Sequence, residues 1–427
     1  MHERDQMSEA AFFRSGSVDR IPTEFRYWDN MKDARAQKRR KQLQRLLGFD
    51  PVLPDELVRT FAHCYYDADP VAEAFVEDVY LARGQGAGRA LVDRALESGV
   101  ASIEDAPASL RALFAEVETP PEWLDWEKVE LGARVWRRHG THMFSFAGAV
   151  TLDAYQECSV VKPLAFTGAY TGESAQRRFL ETAAFWIDVS EPGALRPGGQ
   201  GRKTALRVRL MHVFVRKRLL RHPAWDLDAW GVPISQGDAL ITLMAGSVGA
   251  LALKKLGYRT SREEVEALMH FWRYVGHLMG VQPRWYPPTY EDGVRLVFTA
   301  LSKGAKKAGE DGVDLARSYV QSYAPREGDP PLVALRKRLE YHLELGYTKF
   351  FLSPQSFRAF GLPDPGFWKL HPFAQFPVVF ALETVRKHVD VVDEWADTFA
   401  RWRARQWLDA HLGPRRAEYK AVESFTR

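Results

Sequence analysis

Ala175-Gln-Arg-Arg-Phe-Leu-Glu-Thr-Ala-Ala-Phe-Trp-Ile-Asp-Val189, the break Ser190-Glu-Pro-Gly-Ala-Leu-Arg-Pro-Gly-Gly-Gln-Gly201, and then Leu206-Arg-Val-Arg-Leu-Met-His-Val-Phe-Val-Arg216 decide how this chain is read. The first segment has helical periodicity with Thr171 or Ser174 as cap, so a helix is expected over about 175–189. The break is too rich in Gly and Pro to continue it. A second helix is expected around 203–221. Two helices joined by a glycine-rich loop set the frame for everything on either side.

Helical periodicity also dominates outward from this pair. Downstream, an apolar helix is expected around 236–256 and a third from the cap Ser261 to about 280, where Glu263 and Glu264 favour the positive end of the helix dipole. Three helices in series imply a bundle-like core. Upstream, Thr119-Pro-Pro-Glu-Trp-Leu-Asp-Trp126 opens a helix that runs to Gly140, with the prolines near its first turn. Helices over about 332–350 and 374–412 form a C-terminal section. No pair of β-branched runs is joined by an Asn-Gly or Asp-Gly turn, so a sheet has little to start from. The expected fold is all-α: an arm with a basic helix over 1–47, a helical core over 48–323 and a C-terminal extension over 324–427. Lys38-Arg-Arg-Lys41 reads as a solvated face.

The 427 residues are 46% apolar and 27% charged, enough to bury one large core or two to three ordinary ones. Fifty-nine Lys and Arg against 55 Asp and Glu is too slight an excess for a polyanion groove, so nucleic acid is not an expected partner. Two cysteines, Cys64 and Cys158, cannot make a disulfide framework or a Cys-bound cluster, and a reducing, cytoplasmic setting is expected. No secretory signal is read at the start. The longest apolar run, Ala239–Leu253, falls short of a bilayer span and is expected to be a buried helix.

The twelve histidines fail most metal templates on spacing alone. No Glu precedes a His by three residues, His-Glu-x-x-His is absent, and there is no Cys-x-x-Cys-His. Gly84-Gln-Gly-Ala-Gly88 lacks the Lys-Ser/Thr of a phosphate loop and reads as a helix-terminating turn, while Ala245-Gly-Ser-Val-Gly249 reads as close helix packing. His139 and His142 are expected to be structural. What remains is the helix pair. Arg178 and Thr182 share a face with Phe185 and Trp186 one turn on, and the face centred on His212 carries Val208, Arg209, Val215, Arg216 and Leu219. An imidazole in an apolar stripe flanked by cations has what an iron porphyrin needs: a ligand, aliphatic contacts and propionate partners. The same pattern also describes an ordinary core histidine. Gly276 and Gly280 fit a close approach either to a flat cofactor or to another helix.

Arg178-Phe-Leu-Glu-Thr182, followed thirty residues after the threonine by His212 within Arg207-Val-Arg-Leu-Met-His212, resembles the latex clearing protein (rubber oxygenase) family. Pro120-Pro-Glu-Trp-Leu-Asp125 and Phe271-Trp-Arg-Tyr-Val-Gly-His-Leu-Met-Gly280 resemble recurrent segments of the wider superfamily, so the similarity covers roughly 120–290. The resemblance implies a globin-like helical core holding one non-covalent haem b, with His212 as the proximal iron ligand and Arg178, Arg209 and Arg216 as cofactor-binding cations. It also implies candidate catalytic positions at Arg178, Glu181 and Thr182.

Family members of the rubber-cleaving type use dioxygen to cleave a carbon–carbon double bond of polyisoprene. Here Glu181 stands where one form of the family has a lysine, so a lysine-capped iron is not expected. An ungapped count puts Lys162 where that form has a glutamate base, with Glu157 and Glu173 nearby. The expected activity is that of a haem-dependent oxygenase acting with dioxygen on a small isoprenoid or unsaturated lipid. The alternative is a haem or lipid carrier, or a sensor, that turns nothing over.

Overall fold

The computed structural model describes residues 19–168 and 173–413 together with 417 and 419. No β-strand occurs among them, as the sequence led one to expect. The main helices, in chain order, are α1 (Ala34–Leu47), α2 (Asp55–His63), α3 (Pro70–Phe75), α4 (Gln85–Ser98), α5 (Ala108–Glu118), α6 (Trp126–Arg138), α7 (Gly140–Ala154), α8 (Cys158–Phe166) and α9 (Glu173–Ser190). There follow α10 (Gln200–Leu219), α11 (Gln236–Ser247), α12 (Arg262–Leu278), α13 (Tyr290–Ser302), α14 (Gly309–Gln321), α15 (Pro331–Phe351), α16 (His371–Arg386) and α17 (Asp390–Leu412). Part of the arm, 1–18, and the possible cap Thr171 lie outside the described residues. Helix α1 buries none of its side chains, so its basic run is indeed a solvated face.

The centre of the molecule is the packing of α6 along α12, with α11 against the other side of α12. Helices approach this closely only where a side chain is missing. A Cβ on Gly132 would lie 2.2 Å from the Ala267 carbonyl oxygen, and one on Gly246 would lie 2.9 Å from the Trp272 ring. Both helices are well capped: Asp125 accepts from the backbone N–H of Glu127 and Lys128, and Ser261 with Glu264 closes a reciprocal capping box on α12. The sequence placed the prolines 120 and 121 in the first turn, but α6 starts at Trp126, because Asp125 is a cap that satisfies two orphan donors and the prolines satisfy none.

Two further expectations change. The run read as one helix over 374–412 is two, α16 and α17, separated at Lys387–Val389. The 236–256 helix is α-helical only to Ser247 and continues as a 3-10 turn from Gly249 to Leu256, giving 21 residues with mean hydropathy 1.5. By length and composition alone that stretch could span a bilayer, so it is longer than the apolar run counted in the sequence. It packs against α12 and α13. Gly84 opens α4 at φ 94° rather than only closing the preceding turn.

The C-terminal helices are built into the body. Helix α15 packs on α7, and α17 lies across α6, α7 and α9. A second apolar cluster forms there, and Trp186 of α9 touches both it and the main core. The Gly132→Ala substitution is expected to cost about 1–3 kcal/mol through overpacking, read as a lower thermal midpoint. Gly86→Ala, where a Cβ meets nothing within 4 Å, should be neutral or stabilising by up to about 1 kcal/mol; equal behaviour of the two would contradict the α6–α12 contact.

Candidate functional site

Helices α9 and α10 run antiparallel, and their register is fixed at the loop end. Thr204 donates to the Asp188 carboxylate at 2.8 Å, and a Cβ on Gly201 would press on the Asp188–Val189 backbone at 2.6–2.7 Å. Each residue along one helix is a matching step back along the other, at about 1.5 Å per residue. His212, eight residues beyond Thr204, is therefore level with Leu180, inside the Arg178–Thr182 turn. This register sets the two turns at one height along the helix pair.

His212 lies on the side of α10 that also carries Gly201, Val208, Val215 and Leu219. Val215 and Leu219 pack with Phe166 at the end of α8, so the imidazole stands among α8, α9 and α10. It is only part-buried by accessible area, yet it makes no hydrogen bond with any described residue. Burial, and secondarily the Arg216 cation, pushes its pKa down to about 4. At neutral pH the ring is uncharged, with an unshared nitrogen lone pair, which is the form that ligates a metal. His212 therefore has the chemistry of a metal donor.

The flanking cations do not fit their expected role. Arg209 is 1% exposed and holds both oxygens of Asp69 at 2.8 Å and Glu116 at 2.7 Å. Arg216, also buried, donates to Glu73 at 3.1 Å and to the carbonyls of Pro233 and Ile234 at 2.9 and 2.6 Å. These two arginines point at α3 and α5, away from α9. The reason is electrostatic: a buried guanidinium must be matched by carboxylates, and their carboxylates sit on the N-terminal helices. They are structural ion pairs, and propionate binding is withdrawn for both.

On α9, Glu181 is buried between Arg178 at 3.2 Å and Arg177 at 3.3 Å. Thr182 is part-buried and donates its hydroxyl hydrogen to the Arg178 carbonyl at 3.0 Å, leaving its lone pairs as acceptors. Lys162 is paired with Asp311 at 2.5 Å. Glu157 faces Lys303 at 3.7 Å and fills the space above Gly304, where a Cβ would lie 1.7 Å from its carboxylate. The side chain of Glu173 lies outside what is described. Phe185 and Trp272 are core residues, and Trp272 stands edge-on to Trp136 at 4.7 Å.

Two small cavities open elsewhere. One lies beside Tyr80, Arg207, Met211 and Phe214 and is bordered by Tyr419; the other lies between Phe144 and α17, and each encloses only about 20 Å³. Neither is lined by His212. His142 bonds to Tyr258 at 2.9 Å and to Gln375, and buried His139 stacks edge-on to Tyr258. No cluster of three metal-ligating side chains occurs among the described residues. Gly276 packs on Leu243 of α11, and Gly280 leaves room for the Asp69–Arg209 pair. Both glycines therefore serve helix and ion-pair packing.

Residues 136–382 match the family model for the ER-bound oxygenase mpaB/B'/rubber oxygenase catalytic domain. The chain belongs to that family. Among similar proteins, the rubber oxygenase of Streptomyces sp. (strain K30) is 26% identical over 232 residues, 53% of this chain and 55% of the relative. The chain thus matches only about half the length of that oxygenase. The solved structure of latex clearing protein LCP in the closed state superposes with a TM-score of 0.59 at 21% identity, covering 81% of this chain and 91% of that one. It shares the all-α fold.

The residues sequence reasoning missed were Asp69, Glu73 and Glu116, all outside the matched catalytic domain. Nothing local to Asp69 signals its reach to Arg209, 140 residues further along the chain. Asp69→Ala is expected to cost about 3–5 kcal/mol, seen as a lower urea midpoint, whereas Lys128→Ala, at an exposed pair, should shift it by no more than about 0.5 kcal/mol. A second expectation concerns pH. His277 has its pKa pushed down to about 4 by burial and by Arg209 and Arg202, against 6.5 in the unfolded chain. The unfolded state takes up a proton first, so stability is full above pH 6.5 and falls as pH drops towards 4. Replacement by glutamine should flatten that limb of the stability–pH curve; an unchanged limb would rule this group out.

Proposed function

We propose that the chain is a haem b-dependent oxygenase that uses dioxygen on an apolar, unsaturated, isoprenoid-like or lipid-like substrate. The observation that carries this reading is the His212 ring: neutral, without a hydrogen-bond partner among the described residues, and set level with the Arg178–Thr182 turn in a member of an oxygenase family. When bound, haem iron supplies the dioxygen chemistry. The rest is the work of the chain.

His212 would hold the iron from α10, and Val208 and Val215, on the same side of the helix, would offer aliphatic contact to a macrocycle. Arg178 is anchored through Glu181, which fixes the direction of its guanidinium beside the site. Thr182 offers a hydroxyl whose hydrogen is already committed to the Arg178 carbonyl, so its lone pairs would accept from a bound O–H or N–H donor. With Arg209 and Arg216 spent on α3 and α5, propionate charge falls to Arg178 or to solvent. Phe166 and Leu219 form an apolar cluster at this end of α10, which favours an apolar substrate. Both cysteines are buried and free, which supports a cytoplasmic setting for this activity.

The purified full chain, supplied with haemin, should develop a Soret band that His212→Ala abolishes while the helical circular dichroism is retained. Oxygen uptake in the presence of a short polyisoprene or squalene should depend on the same residue, with Thr182→Val lowering it by roughly tenfold to a hundredfold if its acceptor is used in the reaction. Failure of the wild-type chain to bind haemin would overturn the cofactor. A Soret band without oxygen uptake over a broad substrate panel would leave a carrier or sensor.

A further inference from the structure

Helix α16 is amphipathic the wrong way round for a helix facing water. Its two charged side chains, Glu383 and Arg386, are 2% and 7% exposed, turned inward and bonded to each other at 2.6 and 2.9 Å. They join Arg138 and Glu264 in a buried network. Its outer face carries Phe373, Phe376, Val378, Phe380, Leu382 and Val385, with Phe373 58% and Val378 71% exposed. That outer face has no charged residue between Phe373 and Val385. Fixed inside by ion pairs, the helix cannot rotate to hide its phenylalanines. An apolar surface this continuous is rare on a soluble monomer unless something covers it.

The rim says what covers it. Lys254, Lys255 and Arg259 come up beside α16 from the 3-10 turn, where Gly257 touches the Phe376 and Phe380 backbone, and Arg259 lies over the Phe380 ring at 5.3 Å. Lys369 precedes the helix and Lys387 closes it; all five cations are exposed. Phenylalanines flanked by cations are the pattern of a helix lying in the headgroup region of an anionic bilayer. A second copy docking by the same face would bring like-charged rims together. The stripe Val391, Trp395, Phe399 and Trp402 on α17 extends the apolar surface, but Asp390 and Glu394 flank it, so the face is centred on α16.

We propose that the exposed face of α16, with its five-cation rim, docks the protein peripherally on an anionic lipid surface. The helix would lie along the interface with its phenylalanines among the upper acyl chains and the lysines at the phosphates. This needs neither haem nor substrate, so it stands or falls separately from the oxygenase reading.

The test is flotation of the full chain with vesicles of phosphatidylcholine alone and of phosphatidylcholine with an equal share of phosphatidylserine, at low and high salt. Binding is expected on the phosphatidylserine vesicles and should drop at high salt. Phe376→Asp/Phe380→Asp should abolish it, and Lys254→Glu/Lys255→Glu should weaken it by roughly tenfold or more. Val378→Asp, at a side chain that touches little, guards against loss of fold, which circular dichroism checks directly. Equal binding to both vesicle types without salt dependence would overturn the proposal in favour of an uncharged apolar phase. Absence of vesicle binding, or a dimer in light scattering that Phe376→Asp/Phe380→Asp breaks, would overturn it as well.

Discussion

The rotation of α10 about its own axis is set by charge, and much of the remaining architecture follows from it. Arg209, Arg216 and Lys217 are each under 5% exposed, and each is matched by a carboxylate from the N-terminal third of the chain: Asp69 with Glu116, Glu73, and Glu77. Leaving any of these cations unpaired inside the protein would cost several kcal/mol, so the helix has one acceptable orientation. With the arginines held towards α3 and α5, Val208, His212 and Val215 are turned to α8 and α9. The direction of the imidazole is a by-product of ion pairs on the other side of the same helix.

The N-terminal helices therefore do more than decorate the matched catalytic domain. They supply the counter-charges without which the central helix of that domain could not be buried. The same logic recurs at the C-terminal end, where Arg137 of α6 is held by Asp397 of α17 at 2.9 Å and Arg138 by Glu264 and Glu383. In each case a charged pair fixes the rotation of a helix. On α10 that orientation presents an imidazole to a neighbouring helix; on α16 it presents phenylalanines to the outside.

Chemically, the site is defined by what has been left unbonded. His142 and His270 meet polar neighbours that account for them: Tyr258 and Gln375, and the Asp125 N–H; His139 bonds Thr260 through Nε2 and leaves Nδ1 unpartnered, as His277 leaves its Nε2. His212 likewise makes no hydrogen bond with a described residue, so an unbonded ring nitrogen is shared by His139, His212 and His277. Glu181, standing where a lysine was the family alternative, is instead a bridge between two arginines of its own helix. One carboxylate between two guanidiniums leaves this turn of α9 with a net positive charge.

Local pattern carried the helices, their caps and the α9–loop–α10 pair, because apolar periodicity, Ser261 with Glu264, and a run of Gly and Pro act within a few residues of themselves. It also picked out the Arg178–Thr182 turn and the His212 turn, which the Thr204–Asp188 bond sets at one height along the antiparallel pair. What periodicity could not assign was the use of each polar residue. Arg209 and Arg216 share a helical face with His212, and only the long-range approach of Asp69, Glu73 and Glu116, more than ninety residues away in the chain, decides that they are ion pairs. The outward phenylalanines of α16 were hidden for the same reason. A helix with charges on one side and rings on the other looks identical in sequence whichever side faces in, and the choice is made by Arg138 and Glu264, which lie on other helices.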